Sequence, residues 1–363
     1  MIKDPDLANN LQGILMRFRQ EQMFHNFRVV EPHRDYLRFF WHTNNDLDSP
    51  LEVFRMTVHV FGNRTSPAVA NYGLRKSVSS ADPDVQKFVS DNFYVDYGLM
   101  SFPSVERAVS LVQRTQTALY DGGRFRLHKI ASNSTEVLEL FPKEDLAKDL
   151  KDLDLGQDCL PEQRSLGICW DIVSDRFLFR ADKDLKPFTR RGVLSVINSL
   201  FDPIGFTAPV TVEGRILMRE AMSSKCGWDE LLPETLRIYL ERWVDELVHL
   251  QDFTIPRIYC SLSVEMSSRV EVHVFSDASK EAVAGVAFIK VFSEDSSEIG
   301  FLTGKAKVAP AHGHTIPRLE LRASLLAVDI AENIASIYGS KISVDFFRRR
   351  LFLLRNLRIP FHP

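Results

Sequence analysis

The last third of the chain alternates apolar and polar residues along three successive segments and then switches to a helical period, an order that few folds accept. Residues 269–276, 283–292 and 299–308 read as strands of half-buried type. Residues 318–338 read as a helix, with Leu321, Leu325, Val328, Ile334 and Ile337 on or near one face and Gly339 stopping it. Three strands followed by a long helix is the opening of an α/β domain.

Upstream the signals are mixed. Residues 6–19 place Leu7, Leu11, Ile14, Leu15 and Phe18 on one face, which predicts an amphipathic helix. Residues 27–30 and 36–41 read as strands around the turn Glu31-Pro32-His33, and 53–61 as another strand. Ser104 is placed to cap a helix carrying Ala108, Leu111, Val112 and Leu119, ended by Gly122-Gly123. Residues 125–129 follow as a strand. The polar, acidic stretch 143–163 contains Pro161 and follows Pro142, so it reads as a linker or surface excursion. Residues 166–171 and 176–180 suit a hairpin. Pro233 opens a helix with Leu236, Leu240, Trp243, Leu247 and Leu250 at helical spacing.

Length and composition narrow the function classes. The 363 residues suffice for two or three domains. The net charge of −3 is unlike that of a free-standing nucleic-acid binder, although a locally basic cleft is compatible with it. The cysteines Cys159, Cys169, Cys226 and Cys260 form no CxxC pair, which argues against a zinc site or disulfide framework and for a reducing compartment. His312 and His314 share one loop, too few ligands for a metal site. The first ten residues hold no apolar run of signal-peptide type, and no run of ~18 apolar residues predicts a membrane span. A cytoplasmic protein is expected, within a virus-like particle or nucleus as further options.

Three groups of residues then converge. Gly62, Ser66-Pro67-Ala68 and Tyr94-Val95-Asp96-Tyr97 resemble a reverse transcriptase palm, in which a glycine-bearing segment precedes a hairpin written YVDD. The run Leu166-Gly167-Ile168-Cys169-Trp170-Asp171, then Thr189-Arg190-Arg191, then 199–205 (SLFDPIG) is similar to the connecting segment of Bel/Pao retroelements. Phe275-Ser276-Asp277-Ala278-Ser279 and Ile316-Pro317-Arg318-Leu319-Glu320-Leu321 resemble the opening of the ribonuclease H-like domain of the same elements. The likeness runs from about residue 4 to about residue 345.

The resemblance implies an α/β (α+β) chain. Its parts are a reverse transcriptase palm remnant over 1–142, a linker and Pao-type connecting segment over 143–265, a truncated ribonuclease H-like domain over 266–347 and a basic tail over 348–363. It implies Mg²⁺ as cofactor and an RNA/DNA hybrid as partner, besides other parts of a polyprotein. Asp96 matches the first hairpin aspartate, and the second position is Tyr97, a poor ligand for Mg²⁺. The segment 17–25 (RFRQEQMFH) runs where the family inserts a strand ending in aspartate, so that strand is expected to be deleted, leaving a gap in the sheet and an unstable unit. Glu21 is the nearest acid. Gly62, Ser66, Pro67 and Lys129 match positions near nucleic acid or the incoming nucleotide. Asp277 and Glu320 match two nuclease carboxylates. The third is expected on the following strand, where Asp345 lies early, and Arg348, Arg349, Arg350, Arg355 and Arg358 then form the tail. The implied function is a fragment of a polyprotein combining RNA-directed DNA polymerase and ribonuclease H, catalytically defective; the alternative is a non-catalytic nucleic-acid-binding or assembly module. An aspartic peptidase is excluded by the absence of a D-T-G or D-S-G triplet.

Overall fold

A computed structural model describes residues 12–17, 20–60, 62–151, 162–165, 168–180, 186–224, 226–262, 264, 267–310, 313–338 and 342–347. Contacts divide the chain into two compact units, one centred on residues 9–166 and the other on 167–363.

The first unit is built on a sheet whose inner strand is β1 (Gln12–Arg17). Ile14, Leu15 and Met16 are consecutive and all at most 4% exposed, so β1 is covered on both faces. A continuous apolar run of this kind marks a fully buried strand. The helix expected over residues 6–19 is therefore not formed at its C-terminal half; residues 1–11, 18 and 19 lie outside the described residues. The reason is partnership. Antiparallel neighbours on each side, β5 (Tyr97–Phe102) and β6 (His128–Ser132), saturate the β1 backbone. The short strand β4 (Phe93–Tyr94) completes the order β4-β5-β1-β6. The expected gap in this sheet is absent, because residues 12–17 fill it.

Between β1 and β4 the chain forms α1 (Gln20–His25), a 3₁₀ turn at Glu31–Leu37, β2 (Arg38–His42), β3 (Leu51–Arg55), α2 (Ser66–Ser77) and α3 (Pro83–Asn92). The pairing expected around Glu31-Pro32-His33 does not occur; β2 pairs with β3 instead. Both strands of that ribbon are largely exposed, with Phe40 at 70% and Trp41 at 46%. After β5, α4 (Val105–Gly123) is capped by Ser104, whose hydroxyl accepts from Arg107 N, as expected. Its C-terminal left-handed residue is Arg124 (φ 57°), not a glycine. After β6 and α5 (Thr135–Glu139), residues 143–150 pack back on the sheet, burying Leu146 and Leu150. The strand β7 (Gln163–Ser165) follows.

The second unit begins with β8 (Ile168–Asp171) and β9 (Arg176–Leu178), the expected hairpin, to which β10 (Thr254–Pro256) adds. Trp170 is buried and donates to Asp175 at 2.9 Å; Asp175 also holds Arg257 at 2.6 Å. The helices α6 (Arg190–Ser199), α7 (Ala208–Ser223) and α8 (Glu234–Glu246) enclose a core of Val193, Ile197, Leu217, Leu240 and Trp243. Gly214 lets α7 approach the Trp243 ring, which a methyl group there would meet at 2.3 Å.

The rest of this unit is a four-stranded sheet, order β13-β12-β11-β14, formed by β11 (Arg269–Ala278), β12 (Ala282–Phe292), β13 (Ser297–Val308) and β14 (Ser343–Phe347). β11 and β14 are parallel and the other pairs antiparallel. The helix α9 (Ile316–Tyr338) covers one face. The helix is where it was expected, but its buried side differs. Leu319, Ala323, Leu326, Ala327, Ile330, Ala331 and Ile334 are buried, whereas Leu321, Leu325, Val328 and Ile337 are exposed. Alanines at 323, 327 and 331 let the helix lie close to the sheet, and counting only large apolar residues selects the wrong stripe.

The connecting helices join this sheet through the loop at 202–207. The Asp202 carboxylate accepts from the backbone N–H of Gly205, Phe206 and Thr207 and from the Thr207 hydroxyl, at 2.5–3.1 Å. The loop so shaped presents Ile204 O to Gly304 N at 2.8 Å and to the Thr303 hydroxyl at 3.0 Å. Arg219 of α7 donates to Ala309 O and pairs with Glu281. The rings of Phe179, Phe206, Phe301, Phe288 and Phe275 follow one another at 5.5–6.2 Å between centroids.

Two outcomes follow from this packing. Gly205 has φ +77°, and a methyl group there would lie 1.7 Å from Gly304 O. Gly205→Ala should destabilise the second unit by about 3 kcal/mol or more, seen as faster amide exchange in α7 and β13 with exchange in the first unit unchanged. In the first unit, His59 is buried, and burial holds its imidazole below the usual pKa. The unfolded chain takes up a proton near pH ~6.5 while the folded unit resists. The stability present above that pH is therefore lost as pH falls through it, and His59→Phe should flatten the dependence in denaturant titrations.

Candidate functional site

The hairpin between β4 and β5 turns at Val95-Asp96. Val95 has φ +55°, a conformation that costs a β-branched residue on the order of 1–2 kcal/mol. Asn71, from α2, holds the turn by accepting from Val95 N at 3.0 Å. The turn delivers Asp96 to the end of the sheet, with its side chain 5% exposed.

The residue facing it is a cation. β1 ends at Arg17, in register with Tyr97 of β5 and His128 of β6. The Arg17 Nε donates to Asp96 Oδ2 at 2.9 Å, and its guanidinium lies 4.5 Å from the centre of the Tyr97 ring. The hairpin carboxylate is thus neutralised by a side chain from the neighbouring strand. Glu21 belongs to α1, beyond that strand. The remaining residues matched to this region take separate places. Gly62 is an exposed turn residue with φ +85°. Ser66 is buried and donates to Val60 O at 2.9 Å, closing the loop before α2, and Pro67 occupies the first turn of that helix. Lys129 follows His128 in β6, half-buried, with φ +56°.

The second unit brings two carboxylates to one end of its sheet. Asp277 is the penultimate residue of β11, opposite Ala284, and half-buried. Glu320 lies early in α9 and is exposed. Their chain neighbours Ala278 and Leu319 pack in one apolar cluster with Val283, Ala309, Ala323 and Ile316. Asp345 is elsewhere: β14 sets it opposite His273, four residues before Asp277 on β11 and roughly 13 Å along the strand. His312 and the arginines of the tail lie outside the described residues. His314 has a buried Nδ1 without a partner among the described residues. Among the described residues no group of three or more His, Cys, Asp or Glu is arranged to hold a metal ion.

The donor sets therefore differ in their fit to Mg²⁺. At the palm-like hairpin one carboxylate faces a guanidinium, and the ion does not fit. In the second unit Asp277 and Glu320 are of the carboxylate type that Mg²⁺ takes.

Residues 189–348 match the family model described as "Pao retrotransposon-like RNaseH-like domain". The match covers less than half of the chain. The matched stretch contains α6–α8 as well as α9 and the sheet β11–β14. Across 95% of the chain the fold is similar to a structure of the foamy viral protease-reverse transcriptase in complex with RNA/DNA hybrid, at TM-score 0.52 and 13% identity. The chain spans 45% of that protein's length. No curated protein matches the chain significantly. The α/β class and the kinship with a Bel/Pao-type polyprotein stand on these findings. No helix among the described residues is long and apolar enough to cross a membrane.

Reading the sequence for acids missed Arg17 and Asn71. The signal for Arg17 was the uninterrupted Ile14-Leu15-Met16 run, short enough for a buried strand. Asn71 sits in a helix, and nothing local marks it. Asn71→Ala should cost about 1 kcal/mol by releasing the strained turn, measured by urea titration of the intact chain.

Proposed function

We propose that this chain is a fragment of a retroelement polyprotein that engages nucleic acid, an RNA/DNA hybrid in particular, and has lost polymerase activity. The observation that carries this reading is the Arg17–Asp96 ion pair. Phosphoryl transfer of the polymerase kind needs two ions held by several carboxylates. Here the hairpin offers one, and a guanidinium takes its charge.

The ribonuclease H-like unit is the better candidate for remaining chemistry. Magnesium bound there would stabilise charge at a scissile phosphate. Asp277 and Glu320 would hold it, Asp277 from a strand end and Glu320 from the start of a helix. The displacement of Asp345 from their level favours a second reading, in which the unit binds a hybrid without cutting it.

The readings separate on two assays of the intact chain with Mg²⁺. Primer extension on an RNA template should be absent, and extension above background would refute the polymerase assignment. Cleavage of the RNA strand of a hybrid, where observed, should fall to background in Asp277→Asn and in Glu320→Gln. Equal cleavage by parent and variants would remove these residues from the chemistry. Salt-dependent binding without turnover would select the second reading.

A further inference from the structure

The side of α9 turned away from the sheet carries a second apolar stripe. Leu321, Leu325 and Val328 are 62%, 57% and 37% exposed. They stand four and three residues apart, a spacing that puts them on one face of a helix. The charged residues of α9 are Arg318, Glu320, Arg322, Asp329 and Glu332, all exposed. At roughly 100° per residue, Arg318, Arg322, Asp329 and Glu332 all lie within roughly 60° of Leu325, and Glu320 lies roughly 140° away. The stripe is thus basic at its N-terminal end and acidic at its C-terminal end. This pattern does not suit a helix standing alone. Arg318 and Arg322 are like charges at i and i+4, and Asp329 and Glu332 are like charges at i and i+3. Arg318 also sits in the first turn, at the positive end of the helix dipole. None of these four side chains takes part in an ion pair among the described residues.

We propose that α9 docks on α9 of a second copy of this chain, antiparallel, about a two-fold axis beside Leu325. Leu321, Leu325 and Val328 of both copies form the centre of the contact. The axis sets Arg318 against Glu332 of the second copy and Arg322 against its Asp329, and symmetry makes each pair twice. A parallel arrangement would set every charge against its own like, so the charge order selects the antiparallel one. The opposed charges offset the like-charge neighbours within each helix. Glu320 lies outside the contact, and the proposal does not depend on the nucleic-acid reading.

The test is sedimentation velocity of the full chain over a range of loading concentrations. Three apolar side chains per copy make a small, transient interface, with a dimer Kd on the order of 100 µM in low salt. The sedimentation coefficient of the parent should rise with loading towards that of a dimer, and ~0.5 M KCl should weaken the association a few-fold. Leu325→Asp sets two carboxylates at the axis and should leave a monomer, with its thermal melt unchanged because the residue is exposed. Arg322→Asp and Asp329→Arg should each weaken the dimer about five-fold or more, by turning an attraction into a repulsion at two places. The double variant R322D/D329R should regain the parent's association. If Leu325→Asp does not fold, the three charge variants decide. A parent that stays monomeric at every loading overturns the proposal. So does association that persists in Leu325→Asp, which assigns it to another surface. A double variant that fails to regain what the single variants lose overturns the antiparallel pairing and the proposal with it.

Discussion

An interior strand position in a sheet cannot stay empty. Buried N–H and C=O groups on the flanking strands need partners, each at a cost on the order of 1–3 kcal/mol if left without one. In the first unit β5 and β6 flank such a position, and residues 12–17 occupy it. Their helical spacing loses to this demand, because Ile14, Leu15 and Met16 can be buried on both faces of a sheet but only on one side of a helix. Everything at the hairpin follows from that insertion. Once β1 lies there, its last residue must lie beside Tyr97, and that residue is Arg17.

The second unit depends on a different device. The Asp202 carboxylate is engaged by the backbone and hydroxyl of its own loop. What it shapes is the ridge that meets β13 at Gly304. The connecting helices and the ribonuclease H-like sheet thereby share hydrogen bonds, an ion pair and a row of phenylalanine rings. This accords with a single family model spanning 189–348.

The sequence was most legible where one period held for long. The strands β11, β12 and β13, the helices α4, α8 and α9 and the hairpin β8–β9 all lie near their expected places. It was least legible where short apolar runs fit either period, as at Ile14-Leu15-Met16, and where small residues made the contact, as on α9. For the candidate sites, the residue types Asp96, Asp277 and Glu320 could be picked out by order and spacing. Their surroundings could not. Arg17 and Asp96 are far apart in the chain, and only strand pairing joins them. The offset of Asp345 likewise depends on the register of β14 against β11, which no local pattern encodes.

The ribbon of β2 and β3 has consequences for handling the protein. Two strands alone are marginal in water, and this pair shows Phe39, Phe40, Trp41, Val53 and Phe54 to solvent. Phe39 stacks on Phe54 at 5.9 Å, and Arg38 and Arg55 both pair with Asp35, which steadies the ribbon without covering it. Wet aromatic faces beside open strand edges are templates for another chain. Self-association in solution should therefore start at this ribbon while the rest of the fold stays intact, so it should grow with protein concentration.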